Sequence, residues 1–137
     1  MLVQIRLEAS GMIQAQTLLK VVDNSGAKLV RCIKIKKGKS SAGVGDILLV
    51  SVKALRPRYG RRVRLKMNKS EVHQGVVVQT RKLHRSKSGV GSSFGCNSVA
   101  LINSQEKPLG TRISATLPAR LRGLKWAKLI AMARKTV

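Results

Sequence analysis

Along this chain, short apolar stretches alternate with turn-forming clusters at strand-like spacing. Residues 12–22 favour extended backbone and end at Asp23-Asn24-Ser25-Gly26. That cluster predicts a turn, because Asn and Gly tolerate positive φ and an Asp side chain accepts backbone amides. In residues 29–35, Val30, Cys32, Ile33 and Ile35 are mixed with Arg31 and Lys34, and residues 36–45 form a basic, Gly- and Ser-rich loop. Asp46 opens the clearest strand, in which Leu48, Val50, Val52 and Ala54 share a face by period two. Residues 72–80 give a second strand, with Val76 and Val78 on one face and Val77 on the other, and residues 99–102 a third, short and apolar. Short strands joined by Gly-rich turns, with few helices, predict a mainly β protein built on a small closed barrel. Closure also removes exposed strand edges.

The last third changes period. Pro118 suits the first turn of a helix, and Gly123 interrupts it. From Leu124 onward, Trp126, Leu129, Ile130 and Ala133 recur at helical spacing, with Lys125, Lys128 and Lys135 toward another side. The basic side is either a solvated face or a face laid on RNA. A C-terminal helical segment is expected over about residues 118–134. The 137 residues allow one core, so residues 12–137 are expected as a single domain preceded by an extension, residues 1–11.

Charge narrows the function. Lys and Arg number 28 against 5 Asp and Glu, a formal net charge of +23. Such a surplus repels itself in the compact state unless a polyanion neutralises it. The chain is 43% hydrophobic, too apolar for a disordered basic tail, so the expected partner is nucleic acid held on a folded scaffold. No run of 18 apolar residues spans a bilayer and no long basic amphipathic helix suits a membrane surface, so no membrane partner is expected. Residues 1–11, with Arg6 and Glu8, lack both a secretory and a convincing transit pattern. Cys32 and Cys96 stand far apart and fit two reduced thiols better than a disulfide.

Catalysis is hard to assemble from these residues. Acid–base chemistry needs paired groups, and Glu8, Asp23, Asp46, Glu71 and Glu106 are scattered. His73 and His84 are too few and wrongly spaced for a metal site with the cysteines. Gly38-Lys39-Ser40 lacks the earlier glycine of a phosphate loop, since Ile33 stands there, and Gly43-x-Gly45 precedes a strand instead of a helix. No enzyme, cofactor, metal or small-molecule substrate is expected. The basic clusters remain. Arg56, Arg58, Arg61, Arg62, Arg64, Lys66 and Lys69 fall in one acid-free stretch linking two strands, as an extended ribbon or loop. Arg81, Lys82, Arg85 and Lys87 form a second cluster around His84; Arg112, Arg120, Arg122, Lys125 and Lys128 form a third. Arginine forks match phosphate oxygens in pairs. Only Tyr59, Phe94 and Trp126 are aromatic, which disfavours single-strand reading by base stacking and favours shape and backbone recognition of folded RNA.

Several motifs carry a family resemblance. They are Met12-Ile13-Gln14, Val22-Asp23-Asn24-Ser25-Gly26-Ala27-Lys28, Cys32-Ile33-Lys34, Val44-Gly45-Asp46-Ile47, Val76-Val77-Val78, Leu101-Ile102-Asn103 and Pro108-Leu109-Gly110-Thr111-Arg112-Ile113. In this order, from Met12 to nearly the C-terminus, the chain resembles the universal large-subunit ribosomal protein L-fourteen, in its bacterial and organellar form. The resemblance implies a small five-stranded β-barrel with a projecting β-ribbon and short C-terminal α-helices. It also implies large-subunit rRNA, a neighbouring large-subunit ribosomal protein and, at intersubunit bridges, small-subunit rRNA as partners. Bridge contacts are implied for the segment 53–58, which begins at Lys53, and for the C-terminal helix. Docking of the ribosome-silencing factor is implied at Thr111, Arg112 and Lys128.

The departures all raise the positive charge or alter turns. An Arg-Glu-Leu-Arg run common in the family is Ala119-Arg120-Leu121-Arg122 here, a Pro-Asp-Gly turn is replaced by Ser86-Lys87-Ser88-Gly89, and a Gly-Pro pair is Ala115-Thr116. Residues 1–11 precede the usual start. These changes favour a mitochondrial ribosome over a bacterial or plastid one. The alternatives are a free single-strand binder, which needs surface aromatics, and an RNA-processing enzyme, which needs clustered acids, His or a metal.

Overall fold

A computed structural model describes residues 13–38, 40–57, 67–85 and 87–137. Four strands come first: β1 (Leu18–Val21), β2 (Ala27–Ile35), β3 (Ile47–Leu55) and β4 (Val72–Gln79). A short ribbon of β5 (His84–Arg85) and β6 (Gly91–Ser92) leads to β7 (Ser98–Ile102). The barrel runs β1-β2-β3-β4-β7 and closes by parallel pairing of β1 with β7, with Lys20 opposite Ser98 and Val21 opposite Val99. All other barrel pairs are antiparallel. Irregular register between β2 and β3 near Leu29 and Cys32 bends the sheet, as a small barrel requires.

The period-two pattern explains the interior. Leu48, Val50 and Val52 of β3, Val77 of β4 and Val99 and Leu101 of β7 pack with Leu19, Val30 and Cys32 inside the barrel. The alternate residues of β4 and β7, Val76, Val78, Ala100 and Ile102, are also buried, because a second core covers the outer face of these strands. That core is supplied by the C-terminal lobe: β8 (Ile113–Leu117), a 3₁₀ segment (Ala119–Leu124), helix α1 (Ala127–Met132) and β9 (Ala133–Thr136). Ile113, Leu117, Leu121, Trp126, Leu129 and Ile130 lie against the barrel. So β4 and β7 are covered on both sides, and Val76, Val77 and Val78 are all 0% exposed.

Two close approaches fix the lobe in place. The indole Nε1 of Trp126 donates to the carbonyl of Gly45 at 3.1 Å. Gly45 has φ +90°, a conformation that favours glycine, and a Cβ there would fall 2.6 Å from Leu124 Cδ1, which would have to shift. On the other side, Asp23 is 3% exposed and organises its turn. Its Oδ1 accepts from Ser25 N and Oγ at 3.1 and 2.5 Å, and its Oδ2 accepts from Leu101 N at 2.9 Å. Backbone bridging from Asp23 to Ile113 then sets the entry to β8.

The expected five-stranded barrel and the turn at residues 23–26 are present. Three local expectations change. The extended run over residues 12–22 is broken: Ile13 bridges only to Ala42, Gln16 takes φ 74°, and β1 starts at Leu18. The loop over residues 36–45 holds a 3₁₀ turn (Lys36–Gly38) and is pinned by Ala42, whose N donates to the Ile13 carbonyl at 2.7 Å. Helical backbone ends at Met132, short of residue 134, because Ala133 turns extended (φ −75°, ψ 147°) and β9 pairs parallel with β8. Helix and strand compete there for the same backbone groups, and the open edge of β8 wins. Most of the ribbon or loop expected over residues 56–69 lies outside the described residues.

Replacing Asp23 with Ala leaves the buried Leu101 amide without its acceptor. We expect a loss of about 2–3 kcal/mol in urea unfolding. A loss below ~0.5 kcal/mol would mean that the amide pairs elsewhere at no cost.

Candidate nucleic-acid interface

Cations from distant parts of the sequence meet in one open cleft of about 870 Å³. It lies between the 36–47 segment, the start of the β5–β6 ribbon and the C-terminal lobe. Lys36, Lys37, Lys82, His84, Arg120 and Lys125 contribute basic groups to its walls, and Val44, Ile47, Leu124 and Trp126 supply apolar surface. The cleft thereby joins the second and third basic clusters, which sequence spacing keeps apart. Lys36 and Lys37, which belong to neither cluster, join it because the 3₁₀ turn carries them there.

The cleft is not uniformly free charge. Lys125 Nζ meets Glu106 Oε2 at 3.0 Å and lies 5.5 Å from the Trp126 ring centroid. This pair is well exposed, so it contributes at most about 1 kcal/mol and yields readily to a phosphate. Arg120 Nη1 lies 3.0 Å from His84 Nδ1 and also meets Nε2. Burial, then the charges of Arg120 and Lys82, hold the His84 imidazole below its ordinary range. Two basic groups brought together in this way favour an anion beside them.

A second hollow, of about 410 Å³, opens where β1 leaves the barrel and β8 and β9 begin. Arg56, Arg112 and Arg134 line it, over Val22, Ile113 and Met132. Arg56 is partly committed: its Nη2 donates to the Val21 carbonyl at 2.8 Å and its Nε to the Ala27 carbonyl at 3.4 Å. Asn24 fixes the neighbouring backbone. Its Oδ1 accepts from Thr111 N at 2.7 Å and Arg112 N at 3.3 Å, and its Nδ2 donates to Thr111 Oγ1 at 2.8 Å. Gly110 is obligatory here, since a Cβ would sit 2.7 Å from Asn24 Oδ1. Thr111 and Arg112 are therefore presented by a rigid turn. Lys128 is exposed on α1, one turn before Met132.

The other candidates spread over the surface. Lys53 on β3, Lys69, Arg81, Arg85 on β5, Lys87 and Arg122 are exposed. Arg58, Arg61, Arg62, Arg64 and Lys66 lie outside the described residues. Arg134 has no signal in the sequence, because its place in the hollow follows from the β8–β9 pairing. Trp126 is buried and hydrogen-bonded, so it offers no stacking face.

The described acids are all engaged. Asp23 holds the turn and β7, Asp46 Oδ2 accepts from Gly43 N at 2.8 Å, Glu71 meets His73 at 2.8 Å and Glu106 meets Lys125. Hydrogen bonds from His73 and Asn68 lower the Glu71 carboxyl. Among the described residues no cluster of His, Cys, Asp and Glu could hold a metal, and no helix is long and apolar enough to cross a membrane. Cys32 is buried and its thiol is pushed up by burial; Cys96 is partly exposed and lies 3.3 Å from Ser98 Oγ.

Arg120→Ala should raise the His84 titration point toward the ordinary histidine range, followed by imidazole NMR. An unchanged midpoint would show that burial and Lys82 depress it without Arg120.

A basic, acid-poor surface on a closed five-stranded barrel agrees with the motifs that run through the chain. The family model for ribosomal protein L14p/L23e matches residues 12–137, so the chain belongs to that family and is a structural protein of the large ribosomal subunit.

Proposed function

We propose that this chain binds large-subunit rRNA through its exposed cations and helps hold the small subunit at intersubunit bridges. The observation that carries this reading is the imbalance of partners: each described acid already has a protein partner, while most of the described basic side chains are exposed around a fixed barrel. On this reading Lys36, Lys37, Lys82, Arg120 and Lys125 grip the RNA backbone in the cleft. Lys53, Arg56, Lys69, Arg81, Arg85, Lys87 and Arg122 extend the contact, together with Arg58, Arg61, Arg62, Arg64 and Lys66. The barrel stays largely rigid, so the charges keep their spacing and little conformational entropy is lost on binding. A neighbouring large-subunit protein and small-subunit rRNA are the further partners we assign.

We also assign Thr111, Arg112 and Lys128 to the face that meets the small subunit or the ribosome-silencing factor. The Asn24 clamp supports this, because it fixes the Thr111 side chain and the Arg112 backbone before any partner arrives. The excess of positive charge favours a mitochondrial ribosome.

Neutralising ~8 phosphates should make log K fall against log salt with a slope of about −6 to −7 for a large-subunit rRNA fragment. A shallow slope would contradict phosphate-dominated binding. The double variant Arg112→Glu, Lys128→Glu should retain the native far-UV spectrum yet weaken subunit joining and silencing-factor docking. Normal joining and docking would remove those residues from the interface. Sucrose gradients of cell and organelle lysates at low magnesium should find the chain with the large subunit of mitochondria. Comigration with another compartment's ribosome would correct the location.

A further inference from the structure

Arg56 belongs to the strand-linking basic stretch, Arg112 to the turn held by Asn24, and Arg134 to the last strand. The fold brings all three to one concave site, and the RNA reading does not require this. Among the described residues no hydrogen bond or ion pair occupies the guanidinium of Arg112 or of Arg134, whereas the carboxylate of Asp23, the acid of the hollow, is engaged on both oxygens. Three arginines and one carboxylate line the hollow, which leaves two positive charges in excess there. Like charges gathered in a partly closed space repel more strongly than on an open surface, so the arrangement favours an anion among them. The charge sets its type. A carboxylate or a phosphodiester carries about −1, whereas a phosphate monoester carries about −1.5 to −2 at neutral pH and offers three acceptor oxygens for several guanidinium forks. The size is also informative. A hollow of about 410 Å³ is larger than one phosphate needs and lies within the range of small-ligand sites, roughly 300–1,000 Å³. Its apolar lining of Val22, Ile113 and Met132 can cover the uncharged part of such a ligand.

We propose that the Arg56–Arg112–Arg134 hollow is a binding site for a terminal phosphate monoester of nucleotide size. The phosphate sits among the guanidiniums, with Arg112 and Arg134 as the principal donors and Arg56, tied to the Val21 carbonyl, as a fixed third. The attached sugar or base lies toward Met132. A free nucleotide and a 5′-phosphorylated RNA end share this chemistry.

The test uses the full chain, without ribosomes, and titration calorimetry with 5′-AMP, inorganic phosphate and 3′,5′-cyclic AMP. 5′-AMP should bind about tenfold or more tightly than cyclic AMP, which keeps the nucleoside but presents a monoanionic diester. Its affinity should fall as pH drops from about 7.5 to about 5, because the phosphate gains its second proton near pH ~6. Arg112→Gln and Arg134→Gln should each weaken 5′-AMP about tenfold, while Lys34→Gln, the same charge change at the far end of β2, stays within about twofold. Amide NMR spectra check that each variant is folded, and Arg56 is left intact because it also binds barrel carbonyls. A 5′-phosphorylated tetranucleotide that binds no better than 5′-AMP identifies the free nucleotide as the ligand; clearly tighter binding, lost in the 5′-hydroxyl form, identifies the RNA end. Equal binding of cyclic AMP, or an equal loss in Lys34→Gln, would reduce the effect to diffuse charge and overturn the site. An acetylated aspartyl peptide binding as tightly as 5′-AMP would overturn it in favour of a protein carboxylate. Salt-dependent rRNA binding is a separate measurement, so failure here leaves the ribosomal reading standing.

Discussion

The carboxylate of Asp23 sits where three parts of the chain meet: its own turn, strand β7 and the entry to β8. It is nearly inaccessible to solvent, and each oxygen has a protein donor. A buried carboxylate left unpaired would be costly, so the turn, β7 and the carboxylate must form together. The next residue, Asn24, then captures Thr111 and Arg112. One dipeptide thus organises the interior with its first side chain and the interface with its second. The dependence runs one way: the Arg112 hollow exists only if the buried half of the turn is in place.

Much of the barrel could be read from period two, because β3 follows it faithfully and Val76, Val77 and Val78 divide between two cores as alternation requires. The turn at residues 23–26 was legible for the same reason, since its chemistry is local. What escaped was non-local. The strand β8 has only a weak pattern of its own, and β9 follows an apolar helical run without a break. Its extended state comes from hydrogen bonds to β8, from Ile113 opposite Ala133 to Leu117 opposite Thr136. The isolated bridge at Ile13 likewise depends on Ala42, which no local spacing announces.

The same distinction applies to the interface. Charge content pointed to a polyanion, and clusters along the chain named many of the cations. Adjacency in sequence did not predict adjacency in space. The third cluster is divided, with Arg120 and Lys125 in the large cleft and Arg112 in the smaller hollow with Arg56 and Arg134. Lys125 spends part of its charge on Glu106, which sequence spacing gave no reason to pair with it. Patterns identify which residues carry charge, whereas strand pairing decides which of them act together.

The parallel closure of the barrel has a consequence for how the chain is made. Val21 pairs with Val99, so the first strand must wait until most of the polypeptide has been synthesised before its second edge is covered. The outer face of β4 and β7 waits longer, because Trp126, Leu129 and Ile130 come near the end of the chain and β9 is the last strand of all. Contacts of such long sequence separation form slowly, since loop closure precedes their reward. During that interval the nascent chain exposes two apolar strand faces and an open sheet edge while already strongly cationic. Its own charge then guards it, because mutual repulsion between unfinished copies opposes the edge-to-edge association that bare strands invite.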